Sequence, residues 1–310
     1  MYEQIAANKR KTAFIIAGAL VFTAGIGFLL GLIVGGGSFQ ASLTGLVIAL
    51  LLSAALSVWS YRNGDKLVLR TSRARPVSAE EEPRLHNVVE GLAIAAGLPK
   101  PAVYVVPEQA PNAFATGRDP EHSSIAVTQG LLDMMNRVEL EGVIGHEMSH
   151  VRDRDILLAT IVATLVGSVV LLAEFMLRWF WWGGMVGGGR RRGGGGSAEG
   201  EGFLILFVLG FVLAIVTPFF AQIIKLAMSR RREYLADAEG VLLTRYPPGL
   251  ISALKKLALD TTPMRVANNA TAHMWLTQPS RVPGEDHHWY EKLFSTHPPI
   301  QDRIRALEEM

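Results

Sequence analysis

The sequence predicts an α+β membrane protein, mainly helical, with four transmembrane helices and a small β-sheet in a cytoplasmic part. Three observations predict it. No charged residue occurs from Thr12 to Tyr61, a run too long for a buried core helix and long enough for two spans of about 20 residues joined by a turn. Two further apolar runs, Ile156–Ala173 and Phe203–Ile224, are each long enough to cross a hydrocarbon layer about 30 Å thick. Between and after these runs lie polar stretches that alternate short β-branched segments with amphipathic ones. Hydrophobic residues make up 49% of the 310 residues against 19% charged, and the mean hydropathy is positive.

Residues 1–61 read as an N-terminal hairpin. Lys9-Arg10-Lys11 anchors its start, the spans cover about 12–34 and 41–60, and Gly35–Ser38 with Phe39-Gln40 makes the turn. The first apolar run is long enough to span and no clear cleavage site follows it, so a cleaved signal peptide is not expected. Residues 62–155 form the first cytoplasmic part. Arg62, Lys66, Arg70, Arg73 and Arg75 crowd the membrane exit. Ser78-Ala-Glu-Glu81 reads as a capping box opening a helix to about Ala96, which Gly97-Leu-Pro-Lys-Pro101 stops. Ala102–Val106 is a β-branched strand closed by Pro107, and Asn112–Gly117 and Ser123–Thr128 are two more, with Arg118–His122 as the turn between them. A short helix near Gln129–Asn136 precedes a longer one. Residues 156–228 form a second hairpin, with spans at about 156–177 and 203–224 around a Gly-rich linker, 183–202. Arg190-Arg191-Arg192 in that linker also fits contact with anionic lipid head groups. Pro218 should kink the fourth span, and 229–310 is the second cytoplasmic part.

The longer helix carries the chemistry. His146-Glu147-Met148-Ser149-His150 matches H-E-x-x-H. Residues four apart on an α-helix lie about 40° apart around the axis, so both imidazoles point the same way and can share one metal ion. Zinc is the expected ion, one per chain, with Glu147 placed as general base toward a metal-activated water. No proline occurs between Pro120 and Pro218, and Ile144, Met148 and Val151 fall at helical spacing to bury one face. To stand above a chance match the pentapeptide needs a third ligand as well as this helix. Glu233 suits that role, because a two-histidine, one-glutamate site leaves a position open for water. Asp237, four residues on, then suits a hydrogen bond to a free ring nitrogen of a zinc histidine. The same two carboxylates also fit a solvated acidic pair balancing Arg230–Arg232, and spacing alone does not choose. There is no cysteine, which excludes disulfides and thiolate metal sites. The net charge of +2 gives no reason to expect nucleic acid.

His146–His150, followed by Ser229-Arg-Arg-Arg-Glu-Tyr-Leu-Ala-Asp237, resembles the HtpX family of membrane-bound, gluzincin-type zinc endopeptidases. Asn112-Ala-Phe-Ala-Thr-Gly117 and Phe294-Ser-Thr-His-Pro-Pro-Ile-Gln-Asp-Arg-Ile304 also resemble that family's blocks, and the likeness runs through nearly the whole chain. It implies a bacterial integral membrane metalloprotease in membrane-protein quality control, with its active site cytoplasmic. It also implies zinc on His146, His150 and Glu233, with Glu147 catalytic and polypeptides as substrates. The basic Gly-rich loop is the departure, in a place where family members vary.

Other residues admit more than one role. Asn112, Ala113, Phe114 and Ala115 suit an edge strand that an extended peptide joins by β-augmentation, and equally an ordinary sheet edge. His297 suits an oxyanion donor and equally a loop histidine capping a helix. Glu285-Asp-His287-His288 reads as a solvated loop. His86, His122 and His273 have no partner at ligand spacing. An intramembrane protease is excluded by Glu139, Glu141, Arg152, Asp153, Arg154 and Asp155, which flank the motif with charge. The alternative of a non-proteolytic metal carrier or scaffold calls for ligands within several spans, and the spans hold almost none. Basic segments beside the spans place the polar parts in the cytoplasm. His146, His150 and Glu233 must share a compartment to share an ion. The two later runs therefore both cross, as their length favours, or both fail to cross.

Overall fold

A computed structural model describes residues 2–165, 230–266, 271–277 and 298–310. The third and fourth expected spans beyond Leu165, the 183–202 linker, the Glu285–His288 loop and His297 lie outside the described residues. The chain divides into two compact units: residues 1–14, 58–164 and 224–310 in one, and 15–57 with 165–223 in the other.

The second unit contains most of a helical hairpin, α1 (Tyr2–Val34) and α2 (Phe39–Thr71). Both helices contain stretches long and apolar enough to cross a membrane, and only 17% and 11% of their most apolar windows are buried, which is not the pattern of a soluble core. Val21, Leu51 and Leu52 face outward. Gly27 and Gly45 let the two backbones touch, since a Cβ on either would meet the other's carbonyl; small residues commonly permit such close helix approach in membranes. Two of the four expected spans are thus described as helices.

In the first unit, α2 continues as helix past the basic residues where its span was expected to end. Nothing in Arg62–Arg70 breaks a helix, and Gly64 opens room for the Thr160 and Thr164 methyls. The helix stops at Arg73, whose left-handed φ of 54° lets the Ala74 N–H bond back to the Leu69 carbonyl at 2.8 Å, a C-terminal closure of the Schellman type. Ser78 and Glu81 do bond reciprocally, but they close a turn. Helix α3 runs Pro83–Ala96. Pro83 takes the first helical position, where its missing N–H costs nothing.

Among the described residues the sheet has four strands in the order β1 (Arg75–Pro76), β2 (Ala102–Val106), β4 (Ser123–Thr128), β3 (Ala113–Gly117). The short β1 was not legible, because two residues beside a basic run carry no alternation. β1 pairs β2 antiparallel, β2 pairs β4 parallel, and β4 pairs β3 antiparallel, so β3 is an edge strand. Thr128 caps α4 (Gln129–Met134) by accepting from the Leu131 N–H.

Helix α5 (Arg137–Arg152) is the centre of the core. Asn136 and Glu139 form the capping box that starts it, each side chain accepting from the other's backbone at 2.9 Å. Glu139 also accepts from Ser252 Oγ at 2.6 Å and Lys256 Nζ at 2.7 Å, tying α5 to α8 (Pro247–Leu259). Leu140, Val143, Ile144, Met148 and Val151 are fully buried, each worth about 1.5–3 kcal/mol against exposure. After Arg154, with φ 60°, the chain turns into the apolar helix α6 (Asp155–Leu165). Helix α7 (Arg230–Thr244) lies across α5, and α9 (Ile300–Glu308) packs on α7 and α8.

Candidate active site

The α5–α7 crossing builds the site. Gly240 rests on α5 so closely that a Cβ there would meet the backbone of Gly145 and His146. That contact brings the preceding two turns of α7, with Glu233 and Asp237, over His146 and His150. The Nε2 atoms of the two histidines lie 3.2 Å apart. Glu233 Oε2 is 3.9 Å from His146 Nε2, and Glu233 Oε1 is 3.8 Å from His150 Nε2. Donors of a tetrahedral zinc at about 2.0–2.1 Å stand roughly 3.3 Å apart, so these three fit one such ion. His146 and Glu233 are buried, and His150 is partly buried.

The outward ring nitrogens are both held by carboxylates. His146 Nδ1 lies 2.8 Å from Asp237 Oδ1, and His150 Nδ1 lies 3.0 Å from Asp155 Oδ2. Protons on Nδ1 satisfy these bonds and turn both Nε2 lone pairs toward each other, an arrangement that a cation between them stabilises. Asp237 is itself clamped by Arg303 on α9, with Nε to Oδ2 at 2.8 Å and Nη2 to Oδ1 at 2.6 Å. The 3.3 Å approach of Arg303 Nη2 to His146 Nδ1 is then a contact between two donors. Arg303 Nη1 also donates to the Leu276 carbonyl at 3.0 Å.

These surroundings set the charges. Burial raises the Asp237 carboxyl, but the Arg303 guanidinium and the His146 bond outweigh it and hold it at about 2. Burial, with the charges of Arg303 and His150 adding to it, holds His146 below its ordinary value despite Asp237, which leaves the ring neutral as a ligand must be. His150 goes the other way. Burial lowers it, but the Asp155 bond and the Glu233, Asp155 and Glu147 charges lift it to about 9, so a metal at this site displaces a proton there. Glu147 is pushed up to about 7, first by burial and then by the Glu233 charge, against the His150 charge and a bond from the Ala115 backbone N–H. A carboxylate poised near neutrality suits a general base.

Glu147 and Ala115 line the same cavity as His146, His150 and Glu233, and Ile156, Ala159, Met274 and Trp275 form its apolar wall. The rest of the edge strand is turned elsewhere. Phe114 packs edge-to-face on Trp275 with centroids 4.7 Å apart. Ala113 accepts from the Leu276 N–H at 2.8 Å. Asn112 pairs its side-chain amide with the Thr277 backbone at 2.9 and 3.2 Å. The chain's own residues 276–277 therefore occupy the Asn112–Ala113 end of the edge on which a substrate strand was expected. The Ala115 end faces Glu147.

Three participants were not picked out from the sequence. In the sequence Asp155 stands only as flanking charge, because nothing in the pattern shows that the turn at Arg154 folds it back onto His150. Arg303 had a usable signal: it lies at helical spacing among Ile300, Ile304 and Leu307, so it is a cation on an apolar face. His273, given no partner by spacing, lines the cavity, with Nε2 3.2 Å from the Ala159 carbonyl.

Residues 79–310 match the model of peptidase family M48. The chain is similar to curated proteins described as "Protease HtpX homolog". That of Thermoanaerobacter pseudethanolicus is 45% identical over 315 residues, covering 100% of this chain and 98% of the relative. That of Lactobacillus acidophilus is 42% identical over 316 residues, covering 100% of each. The crystal structure of S. mikatae Ste24p covers 99% of this chain and 67% of its own at 18% identity, with a TM-score of 0.49. The chain belongs to peptidase family M48, among the HtpX proteases, and is a membrane metalloprotease.

Proposed function

We propose that the protein is a zinc endopeptidase that cuts polypeptides, damaged membrane proteins among them, at the cytoplasmic membrane face. The observation that carries this reading is the convergence of His146, His150 and Glu233 beside Glu147 in one cavity. Zinc on these three side chains supplies Lewis acidity, lowering the pKa of a water and polarising the scissile carbonyl. Glu147 takes the proton from the attacking water and delivers it to the leaving amide nitrogen. Asp237, steadied by Arg303, and Asp155 hold the histidine rings in the metal-facing tautomer. Residues 62–155 and 229–310 supply His146, Glu147, His150 and Glu233 to this site, and Ile156 and Ala159 complete its wall. The Ala115 carbonyl faces the same sheet edge as its N–H and offers a bond to an extended substrate. His297, just ahead of the last helix, remains a proposed oxyanion donor. Zinc content near one per chain, and cleavage of casein-like substrates that a chelator abolishes and zinc restores, are the expected results. Cleavage that survives complete metal removal would reject the reading.

The topology we propose has four spans, with the site in the cytoplasm and the 183–202 linker outside. Supporting it are Lys9–Lys11, the basic residues at 62–75 and Arg230–Arg232, all beside expected spans. Arg190–Arg192 counts against it, so the linker is the place to test. The chain has no cysteine, and a Ser197→Cys variant labels in intact cells with a membrane-impermeant thiol reagent if all four spans cross. Labelling only after lysis would instead assign the later runs to a re-entrant hairpin.

A further inference from the structure

Asp155, which orients His150, is itself held from the N-terminal helix. Its Oδ1 accepts from Arg232 Nη1 at 2.7 Å and from Asn8 Nδ2 at 2.6 Å. Asn8 Nδ2 also reaches the Asp153 carbonyl at 3.1 Å, and Asn8 Oδ1 lies 3.3 Å from Arg232 Nη1. Asn8 is 4% exposed, so this amide is a buried, satisfied polar group inside the catalytic unit, and leaving its partners unmatched is costly. A carboxylate gripped by Arg232 alone on one oxygen can swing about that contact. With two donors from different elements on Oδ1 and His150 on Oδ2, its plane is set, and the imidazole plane with it.

We propose that Asn8 is a positioning residue of the metal centre: through Asp155 it fixes the His150 ring, so that docking of the N-terminal helix completes the metal site. The proposal rests on the reading of His150 as a metal ligand. Asn8 lies on α1 four residues ahead of Thr12, where the uncharged run begins. One helix thus carries both a membrane-crossing stretch and a partner of the metal site. A chain whose N-terminal helix is undocked holds metal more weakly, with every metal-binding side chain still present.

The test uses the full chain in detergent, stripped of metal. Zinc dissociation constants are measured by competition with a chelating indicator, and the visible spectrum is recorded with cobalt. Asn8→Ala should weaken zinc by about 10-fold, the low end for an outer partner, and change the cobalt spectrum. Asn8→Asp, nearly the same shape but with a negative charge against Asp155, should weaken it at least as much and serves if the alanine variant does not fold. Asp155→Asn should weaken zinc by roughly 10–100-fold. The double variant Asn8→Ala/Asp155→Asn should be no more than about 2-fold weaker than Asp155→Asn, because two changes on one route do not add. Thr23→Ala, on the same helix, should bind as the parent does. Parental affinity in both Asn8 variants, alongside lost binding in His150→Ala, overturns the proposal and leaves the metal-site reading standing. Full additivity in the double variant also overturns it, since Asn8 would then act through folding rather than through Asp155. Parental affinity in His150→Ala removes the metal-ligand reading, and the proposal falls with it.

Discussion

Glu147→Gln retains its metal and loses proteolysis by about 1000-fold or more in kcat/KM. General-base catalysis is worth roughly 10²–10⁴-fold, and the amide that replaces the carboxylate has no basic oxygen at neutral pH. The side chain keeps its shape, and its carbonyl still accepts from the Ala115 N–H that bonds Glu147. The fold and the side chains of His146, His150 and Glu233 are therefore undisturbed. Glu147 is held up near 7 by its burial and by Glu233, which is where a base combines availability with proton affinity. The measurement is cleavage of a casein-like substrate beside metal content on the same sample. A metal-loaded Glu147→Gln protein that cleaves at the parental rate rejects the assignment. If the protease also cuts itself, this variant accumulates intact.

Glu233→Ala loses its zinc, while Glu239→Ala, on the same helix, keeps it. The two histidines alone leave a site one protein ligand short, and a water replaces an anionic carboxylate poorly. Loss of Glu233 also removes one of the charges that lift His150, but the Asp155 bond remains, so proton competition at His150 persists with no carboxylate to help a metal win. Asp237→Asn is the milder companion, weakening zinc by roughly 10–100-fold because it loosens the grip on His146 and leaves Arg303 short of its counter-charge. Metal content and zinc affinity are read on all three variants. Equal zinc in Glu233→Ala and the parent would mean that another residue completes the site.

What the sequence could reveal followed from local periodicity. His146 and His150 share a helix face because they are four apart, and Ile144, Met148 and Val151 are buried because they share another. Strands β2 and β4 stood out through β-branched runs bounded by proline and turn residues. α1 and α2 stood out through an uncharged stretch that no soluble core needs. Where local signals competed, they misled. Ser78 and Glu81 make the bonds of a capping box, yet Pro83 decides where α3 begins. The Arg62–Arg70 cluster marked an expected membrane exit without ending a helix.

By itself, then, the sequence determined the helix that carries His146 and His150, the first hairpin and, through the resemblance of its motifs, the family. Only the tertiary structure decided who stands around His146 and His150. Glu233 and Asp237 reach His146 because Gly145 and Gly240 let two helices touch. Asp155 reaches His150 because the chain reverses at Arg154. Arg303 closes on Asp237 from α9, and Asn8 closes on Asp155 from the far end of the chain. These contacts join residues far apart in sequence, and their energies come from burial and charge compensation that no single stretch contains. Spacing along one helix is encoded within a few residues, whereas a hydrogen bond between helices exists only once the core has set their separation.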